Sequence, residues 1–212
     1  MIKVAIVEDN KTTREGFATL IKETPGLECV CACETVKDAV RLIPKLAPDV
    51  VLMDIQLPDK TGIECAARIK ELIPSVQILV VTVYADQTRI FEALQSGASG
   101  YLLKRSAPEQ IITAIQDVYE GGVPMTPEIA RKVIAQFKNQ TVTTQEIENL
   151  SSREREVLRL LTLGLNNKTI AERCSISVEG VKWHLRNIYQ KLHVHSRLQA
   201  AGKFLATKRM PP

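Results

Sequence analysis

Three acidic side chains in this sequence sit where acids do chemistry. Asp54 ends the run Pro48-Asp49-Val50-Val51-Leu52-Met53-Asp54, and the pair Glu8-Asp9 follows the run Lys3 to Val7. Val50 to Met53 is a short uninterrupted apolar stretch, the mark of a strand buried on both faces of a parallel sheet. A residue directly after such a strand stands at its C-terminal edge, where open α/β sheets bind ligands. On neighbouring strands the three carboxylates would crowd one crevice, which is costly unless a divalent cation lies among them. The cation these residues predict is Mg2+, a hard ion that takes oxygen ligands. Thr82 closes a fourth such strand and Lys104 a fifth, so a hydroxyl and an ammonium join the same edge. The chemistry of this set is phosphoryl transfer. One carboxylate attacks phosphorus to give an acyl phosphate, and Lys104 and Thr82 bind the oxygens of the product.

The elements that must position these groups alternate in type. Strands are expected at Lys3–Val7, Leu27–Cys33, Val50–Met53, Gln77–Thr82 and Gly100–Leu103. Between and after them, amphipathic spacing predicts helices at Lys11–Glu23, Val36–Leu46, Gly62–Leu72, near Gln87–Ser96 and from Pro108 to about Tyr119. Asn10 is a candidate N-cap for the first helix. Five strands alternating with five helices predict a doubly wound five-stranded parallel sheet. The five cysteines are odd in number and irregularly spaced, which predicts no disulfide framework. Cys29, Cys31 and Cys33 alternate along one strand and read as small residues packed on one sheet face rather than as thiolate ligands.

Glu8-Asp9, Asp54, Thr82 and Lys104 at these spacings resemble the receiver domain of bacterial response regulators, over roughly Ile2 to Gly121. The resemblance implies a flavodoxin-like fold in which Asp54 takes a phosphoryl group from a sensor histidine kinase. It further implies that Asp9 and Asp54 bind Mg2+ directly, that Glu8 reaches it directly or through water, and that the backbone carbonyl of Gln56 adds a ligand. Pro58 and Gly62 match the turn after the acceptor, and Tyr101 matches the switch aromatic. There, inward movement of Thr82 opens space that Tyr101 fills from an exposed rotamer. Val83 departs from the Ala or Gly of many receivers, a bulk that would narrow the approach to Asp54. Arg105 replaces the Pro that commonly follows the lysine. Gln56 and Tyr84 occupy positions that tune the hydrolysing water in the family.

The second half of the chain differs in charge. Residues 1–124 hold 13 Lys and Arg against 17 Asp and Glu, a balance of −4, whereas residues 125–212 hold 15 against 7, a balance of +8. That asymmetry points to a nucleic-acid partner for the C-terminal half. Gly121-Gly122-Val123-Pro124 ends the first domain, Thr126–Phe137 has helical spacing with Ile129, Val133, Ile134 and Phe137 apolar, and Lys138–Glu148 reads as a polar linker. A helix from Ser151-Ser152 to about Leu163 follows, then one capped by Asn167 and a third capped by Ser177 that reaches Leu192. Val181, Leu185, Ile188 and Leu192 form its buried side and leave Lys182, Trp183, Arg186, Asn187 and Gln190 outward. Helix, tight turn and basic helix make a helix-turn-helix, whose later helix enters the major groove of duplex DNA.

Leu150–Ala201 resembles the LuxR-type output domain of the NarL/FixJ regulators. The likeness is carried by Ser152-Arg153-Glu154-Arg155-Glu156-Val157-Leu158, Asn167-Lys168-Thr169-Ile170-Ala171, Ser177-Val178-Glu179-Gly180-Val181-Lys182, His184, Lys191-Leu192 and Ser196-Arg197. It implies Lys182, Trp183 and Arg186 nearest the bases, with Asn167, Lys168, Thr169 and Lys191 at phosphates. It also implies a final helix, Ser196 to about Thr207, that makes a homodimer on DNA. Gly180 replaces the usual Thr.

With 212 residues, 45% hydrophobic and 25% charged, the chain is expected to hold a receiver at 1–122, a connector at 123–148 and an all-α DNA-binding domain at 149–212. No apolar run approaches the ~20 residues of a membrane span, and Met1 leads straight into a strand; no membrane partner and a cytoplasmic location are expected. The receiver is expected to catalyse only its own phosphorylation and dephosphorylation. Two other readings are a Mg2+-dependent phosphohydrolase of the haloacid-dehalogenase type, which wants an acid where Gln56 stands, and a constitutive docking or DNA-binding module with vestigial phosphorylation.

Overall fold

The computed structural model describes residues 1–137, 149–194 and 196–207. The linker expected at 138–148 lies outside the described residues, as do the side chains of Ile134, Phe137 and Leu205. Five parallel strands, β1 (Ile2–Val7), β2 (Leu27–Cys33), β3 (Val50–Met53), β4 (Gln77–Thr82) and β5 (Gly100–Leu103), form one sheet in the order β2-β1-β3-β4-β5. They alternate with α1 (Lys11–Glu23), α2 (Val36–Leu46), α3 (Gly62–Leu72), α4 (Gln87–Gln95) and α5 (Pro108–Tyr119). This is the doubly wound sheet expected from the alternation. β1 and β3 are neighbours, with Val7 paired to Met53, so their acidic ends meet.

Helices cover both faces because β3 and β4 are apolar on both. One face packs Val51, Met53 and Ile78 against Ala39, Ile43, Cys65 and Ile69 of α2 and α3. The other packs Val50, Leu52 and Leu79 against Ile21 of α1 and Ile111, Ile115 and Val118 of α5. Strand β2 corrects one expectation. The β1–β2 register slips between Val4 and Ala5, so Val4 pairs with Cys29 but Ala5 with Cys31. One extra residue on β2 breaks the alternation. Cys29 therefore packs with the α1 and α5 face, and Cys31 and Cys33 pack with Cys65 on the other.

Close packing fixes the start of α3 on the end of β3. A Cβ at Gly62 would lie 1.8 Å from the Asp54 carbonyl oxygen, so only glycine fits there. Thr61 caps the helix in a reciprocal box with Glu64. After α5, Pro124 and Thr126 flank the edge strand: the Tyr101 amide donates to Pro124 O at 2.9 Å, and the Thr126 amide donates to Tyr101 O. Helix α6 (Pro127–Phe137) then lies against α4, with Ile129 and Val133 buried beside Ile90 and Tyr101. The Lys132 ammonium donates to Ala85 O, and Glu128 pairs with Arg105.

The C-terminal residues form α7 (Ser152–Thr162), α8 (Asn167–Cys174), α9 (Val178–Lys191) and α10 (Arg197–Thr207) around one apolar core that includes Leu158, Ile170, Val181, Ile188 and Phe204. Asn166, not Asn167, caps α8, and its side chain accepts the Thr169 amide at 2.9 Å. Either of two adjacent asparagines satisfies the cap preference, and the sequence does not choose between them. This unit packs on the sheet domain. The Asn167 amide donates to Glu120 O at 3.0 Å, and Gln199 Nε2 donates to Gln95 O at 2.7 Å. Among the described residues no helix is long and apolar enough to cross a membrane.

One buried charge has a measurable consequence. Lys70 of α3 is buried, its ammonium donates to Val76 O, and burial lowers its pKa to about 8. An unfolded chain keeps that proton up to about pH 10.4. The native state therefore carries a penalty below pH 8 that lifts as pH rises from about 8 to 10.4. A shift of this size is worth roughly 3 kcal/mol. Lys70→Met removes the charge at the loss of one hydrogen bond, and is expected to raise stability at pH 7 by about 1–2 kcal/mol. It should also flatten the rise between pH 8 and 10; denaturant midpoints of both chains at the two pH values measure this.

Candidate functional site

Every polar group predicted for the sheet edge is there. Asp54, at the end of β3, is 6% exposed, with its amide on Val7 O at 2.9 Å and its Oδ1 accepting the Ile55 amide at 2.7 Å. Glu8 and Asp9 follow β1, and each of the three acids offers a carboxylate oxygen within 4.8 Å of the others. Lys104, after β5, sets its ammonium 2.7 Å from Asp54 Oδ2 and 2.6 Å from Glu8 Oε2. Its amide donates to Thr82 O at 2.8 Å, which ties the β4 and β5 ends together.

The charges are unequally satisfied. Burial raises the Glu8 pKa more than the neighbouring Lys104 lowers it, and Asp54 raises it further. Burial pulls Lys104 down, but its bonds to Asp54 and Glu8 outweigh that and hold its pKa above the ordinary value. The two partners shift the same way because burial leads at Glu8, whereas at Lys104 the two carboxylates together outweigh it. Three acids against one ammonium, all offering hard oxygens, fit a divalent cation. Thr82 is 0% exposed, and its hydroxyl oxygen has no hydrogen-bond partner among the described residues. An unpaired buried hydroxyl costs about 1–3 kcal/mol.

Tyr101 departs from the expectation of an exposed rotamer. It is fully buried, and its hydroxyl donates to Tyr84 O at 2.9 Å. Ile129 and Val133 share its apolar cluster, so α6 shuts it in. Tyr84 in turn bonds Gln56 Oε1 through its hydroxyl and carries the Arg89 guanidinium 3.7 Å over its ring. Val83 is 69% exposed. The bond after Lys104 is trans, as are all described peptide bonds.

Sequence reasoning passed over two residues. Arg14 Nη1 donates to Glu8 O at 2.7 Å and Asp9 O at 2.8 Å, and Asp59 accepts the amides of Val36 and Lys37 at 2.9 and 3.0 Å. Both act on backbone groups, which no residue type announces. Only the place of Arg14, one turn into the helix after the acid pair, hints at its role.

The residues expected to read DNA lie mostly on one face. Ser177 caps α9 and accepts the Gly180 amide at 3.0 Å, and Val181, Leu185 and Ile188 are buried. Trp183 is 55% exposed and Arg186 is exposed, while Lys182 pairs with Glu179 at 2.9 Å. Of the expected phosphate contacts, Lys168 is exposed and Thr169 half-buried. Lys191 pairs with buried Glu154 at 2.7 Å, and Asn167 is 5% exposed beneath Gly121. The outer face of α9 meets the receiver: Lys182 lies 5.2 Å over the Tyr119 ring, and Lys182 and Arg186 line a cavity of about 860 Å³ with Asp49 and Ser99.

Comparison with known proteins agrees with both halves. Residues 4–116 match the response regulator receiver domain, and residues 148–204 match the bacterial regulatory proteins of the luxR family. The chain is 38% identical over 209 residues to the transcriptional regulatory protein LnrK of Bacillus subtilis, covering 95% of each. It is 33% identical over 202 residues to the oxygen regulatory protein NreC of Staphylococcus carnosus, covering 92% of this chain and 93% of that one. Among solved structures it resembles a LuxR-family two-component response regulator from Aurantimonas sp. SI85-9A1, with 33% identity, TM-score 0.60, and 65% and 98% of the two chains covered. It also resembles the response regulator ChrA of a heme-sensing two-component system, with 28% identity, TM-score 0.53, and 99% and 98% covered. A receiver joined to a LuxR-type helix-turn-helix makes this chain a DNA-binding transcriptional regulator, and it belongs to the two-component response regulators of the NarL/FixJ type.

Proposed function

We propose that Asp54 is the phosphoacceptor and that its phosphorylation by a sensor histidine kinase frees the C-terminal helices to dimerise on promoter DNA. The observation that carries this is the Asp54 carboxylate held by Lys104, with Thr82 buried at the end of the neighbouring strand β4 and its hydroxyl unpaired among the described residues. An Asp54 oxygen attacks the phosphorus of a phosphohistidine, the P–N bond breaks, and the imidazole leaves with that electron pair. Lys104 moves from Asp54 to one oxygen of the acyl phosphate, and Thr82 donates to another. Glu8, Asp9, Asp54 and the Gln56 carbonyl would hold Mg2+, which when bound offsets the negative charge gathering on the phosphoryl oxygens. The receiver thus catalyses only its own phosphorylation and dephosphorylation. The haloacid-dehalogenase reading lacks its acid, because Gln56 stands two residues after Asp54.

Output on this reading depends on parting the two halves: a receiver at 1–122, a connector at 123–148 and a DNA-binding domain at 149–212, in the cytoplasm. Lys182, Trp183 and Arg186 read bases, and Lys168 and Thr169 contact phosphate; Asn167 and Lys191 join them once their present partners are released. While α9 faces the receiver, a major groove cannot receive it, since the groove admits a helix only if one side is clear. Helix α10, the expected dimer helix, is held to α4 by Gln199 and by Leu198 packed in the Tyr101 cluster. The phosphoryl group must therefore favour an open form by its extra contacts with Thr82 and Lys104.

Acetyl phosphate with Mg2+ is expected to tighten binding of the wild type to promoter DNA by about 10-fold or more at fixed salt. Asp54→Asn should show no gain, and Thr82→Ala should take up phosphoryl but lose most of the gain. Equal anisotropy curves for treated wild type and Asp54→Asn would remove phosphate control. Lys104→Met leaves two buried carboxylates without a countercharge. In metal-free buffer it is expected to destabilise the chain by roughly 2–4 kcal/mol, and added Mg2+ should recover part of the loss; chemical denaturation measures both.

A further inference from the structure

Two loops bring the acids together, and both are fastened to the same place. The loop between β1 and α1 carries Glu8 and Asp9; the loop between β3 and α3 follows Asp54. Arg14, one turn into α1, donates from Nη1 to the carbonyls of Glu8 and Asp9, and from Nη2 to Glu34 Oε2 at 3.2 Å. Glu34 sits immediately before Thr35, the N-cap of α2. Asp59, in the other loop, accepts the amides of Val36 and Lys37, the first two of the same helix. Thr35 accepts the next amide, from Asp38, at 3.1 Å. The first three amides of α2 are thus all bonded, two of them to a carboxylate from the phosphoacceptor loop.

Neither contact neutralises the acidic crevice. Arg14 spends its nearest hydrogen bonds on the backbone of the acid pair, and Asp59 adds a further negative charge to that end of the domain. What both do is fix position. Three carboxylates at this spacing repel one another, and loops free to relax would spread them. A cation site needs its ligand atoms held at fixed separations before the ion arrives, and partners behind the ligands supply that hold.

We propose that Arg14 and Asp59 are positioning residues of the divalent-cation site, pegging both acid-bearing loops to the start of α2 and so setting the distance between the Glu8-Asp9 pair and Asp54. The inference rests on the reading of that crevice as a cation site. Arg14→Lys keeps the charge but not the planar fork, in which Nη1 bonds both carbonyls while Nη2 reaches Glu34. Asp59→Ala removes an exposed carboxylate and leaves the core intact.

The test titrates Mn2+ into the full-length protein and follows free Mn2+ by electron paramagnetic resonance. Each variant is expected to bind about 10-fold more weakly than wild type, in line with losses of second-layer partners at metal sites. The Mg2+ concentration giving half-maximal phosphorylation by acetyl phosphate should rise by a similar factor. The rate at saturating Mg2+ and the denaturant midpoint in metal-free buffer should change little. Affinity within about 2-fold of wild type in both variants overturns the proposal, and so does a loss confined to the saturating rate. A wild-type chain that takes up no Mn2+ sinks the cation reading itself, an outcome distinct from variants that match a metal-binding wild type.

Discussion

The Lys104 ammonium, shared between Asp54 and Glu8, is the interaction on which the rest of the receiver depends. It lets two buried carboxylates stand at the same sheet edge, yet it is one charge for two acids. Such a pocket is held together and left short of positive charge at once. The arrangement suits a site whose occupant changes. On the proposed reading a cation would relieve the deficit, and a phosphoryl group on Asp54 would offer the same ammonium a more highly charged partner. Thr82 adds the second half of the constraint, a buried hydroxyl with no hydrogen-bond partner among the described residues, which on the proposed reading would donate to a phosphoryl oxygen.

From that edge the structure runs in two directions. Through Gly62, whose backbone rests on the Asp54 carbonyl, Asp54 is rigidly joined to α3. Through Thr82 and Tyr84 it reaches Tyr101, which bonds Tyr84 by its hydroxyl and the connector by its backbone. Lys132 of α6 bonds the adjacent Ala85, so the segment after β4 touches both the aromatic residue and the helix leading to the DNA-binding half. Displacement of Thr82 would therefore act on groups that also hold the connector.

Much of the site was legible because strand ends advertise themselves. Asp54, Thr82 and Lys104 each follow an apolar run, and Glu8-Asp9 does so as a pair; period and position together located the pocket. The strands and helices of the receiver followed from the same alternation. What stayed hidden depends on backbone atoms or on missing ones. Arg14 and Asp59 bond carbonyls and amides that every residue carries. The extra residue in β2 that separates Cys29 from Cys31 has no side-chain signature. Part of the docking of the two halves rests on an amide, a carbonyl and the bare Cα of Gly121 against Asn167. Tyr101 stands inside because α6 covers it, a tertiary fact that its own residue type cannot carry.

The Asn167 amide reports the central claim most directly. It lies at the first position of α8, where helices leave amides without internal partners, so the Glu120 carbonyl is its hydrogen-bond acceptor only while the halves are packed. Hydrogen exchange at this amide, followed with and without acetyl phosphate and Mg2+, reads that packing. Slow exchange in the unmodified protein and fast exchange once Asp54 is phosphorylated is the predicted result. Protection that persists unchanged on fully phosphorylated protein would contradict the account.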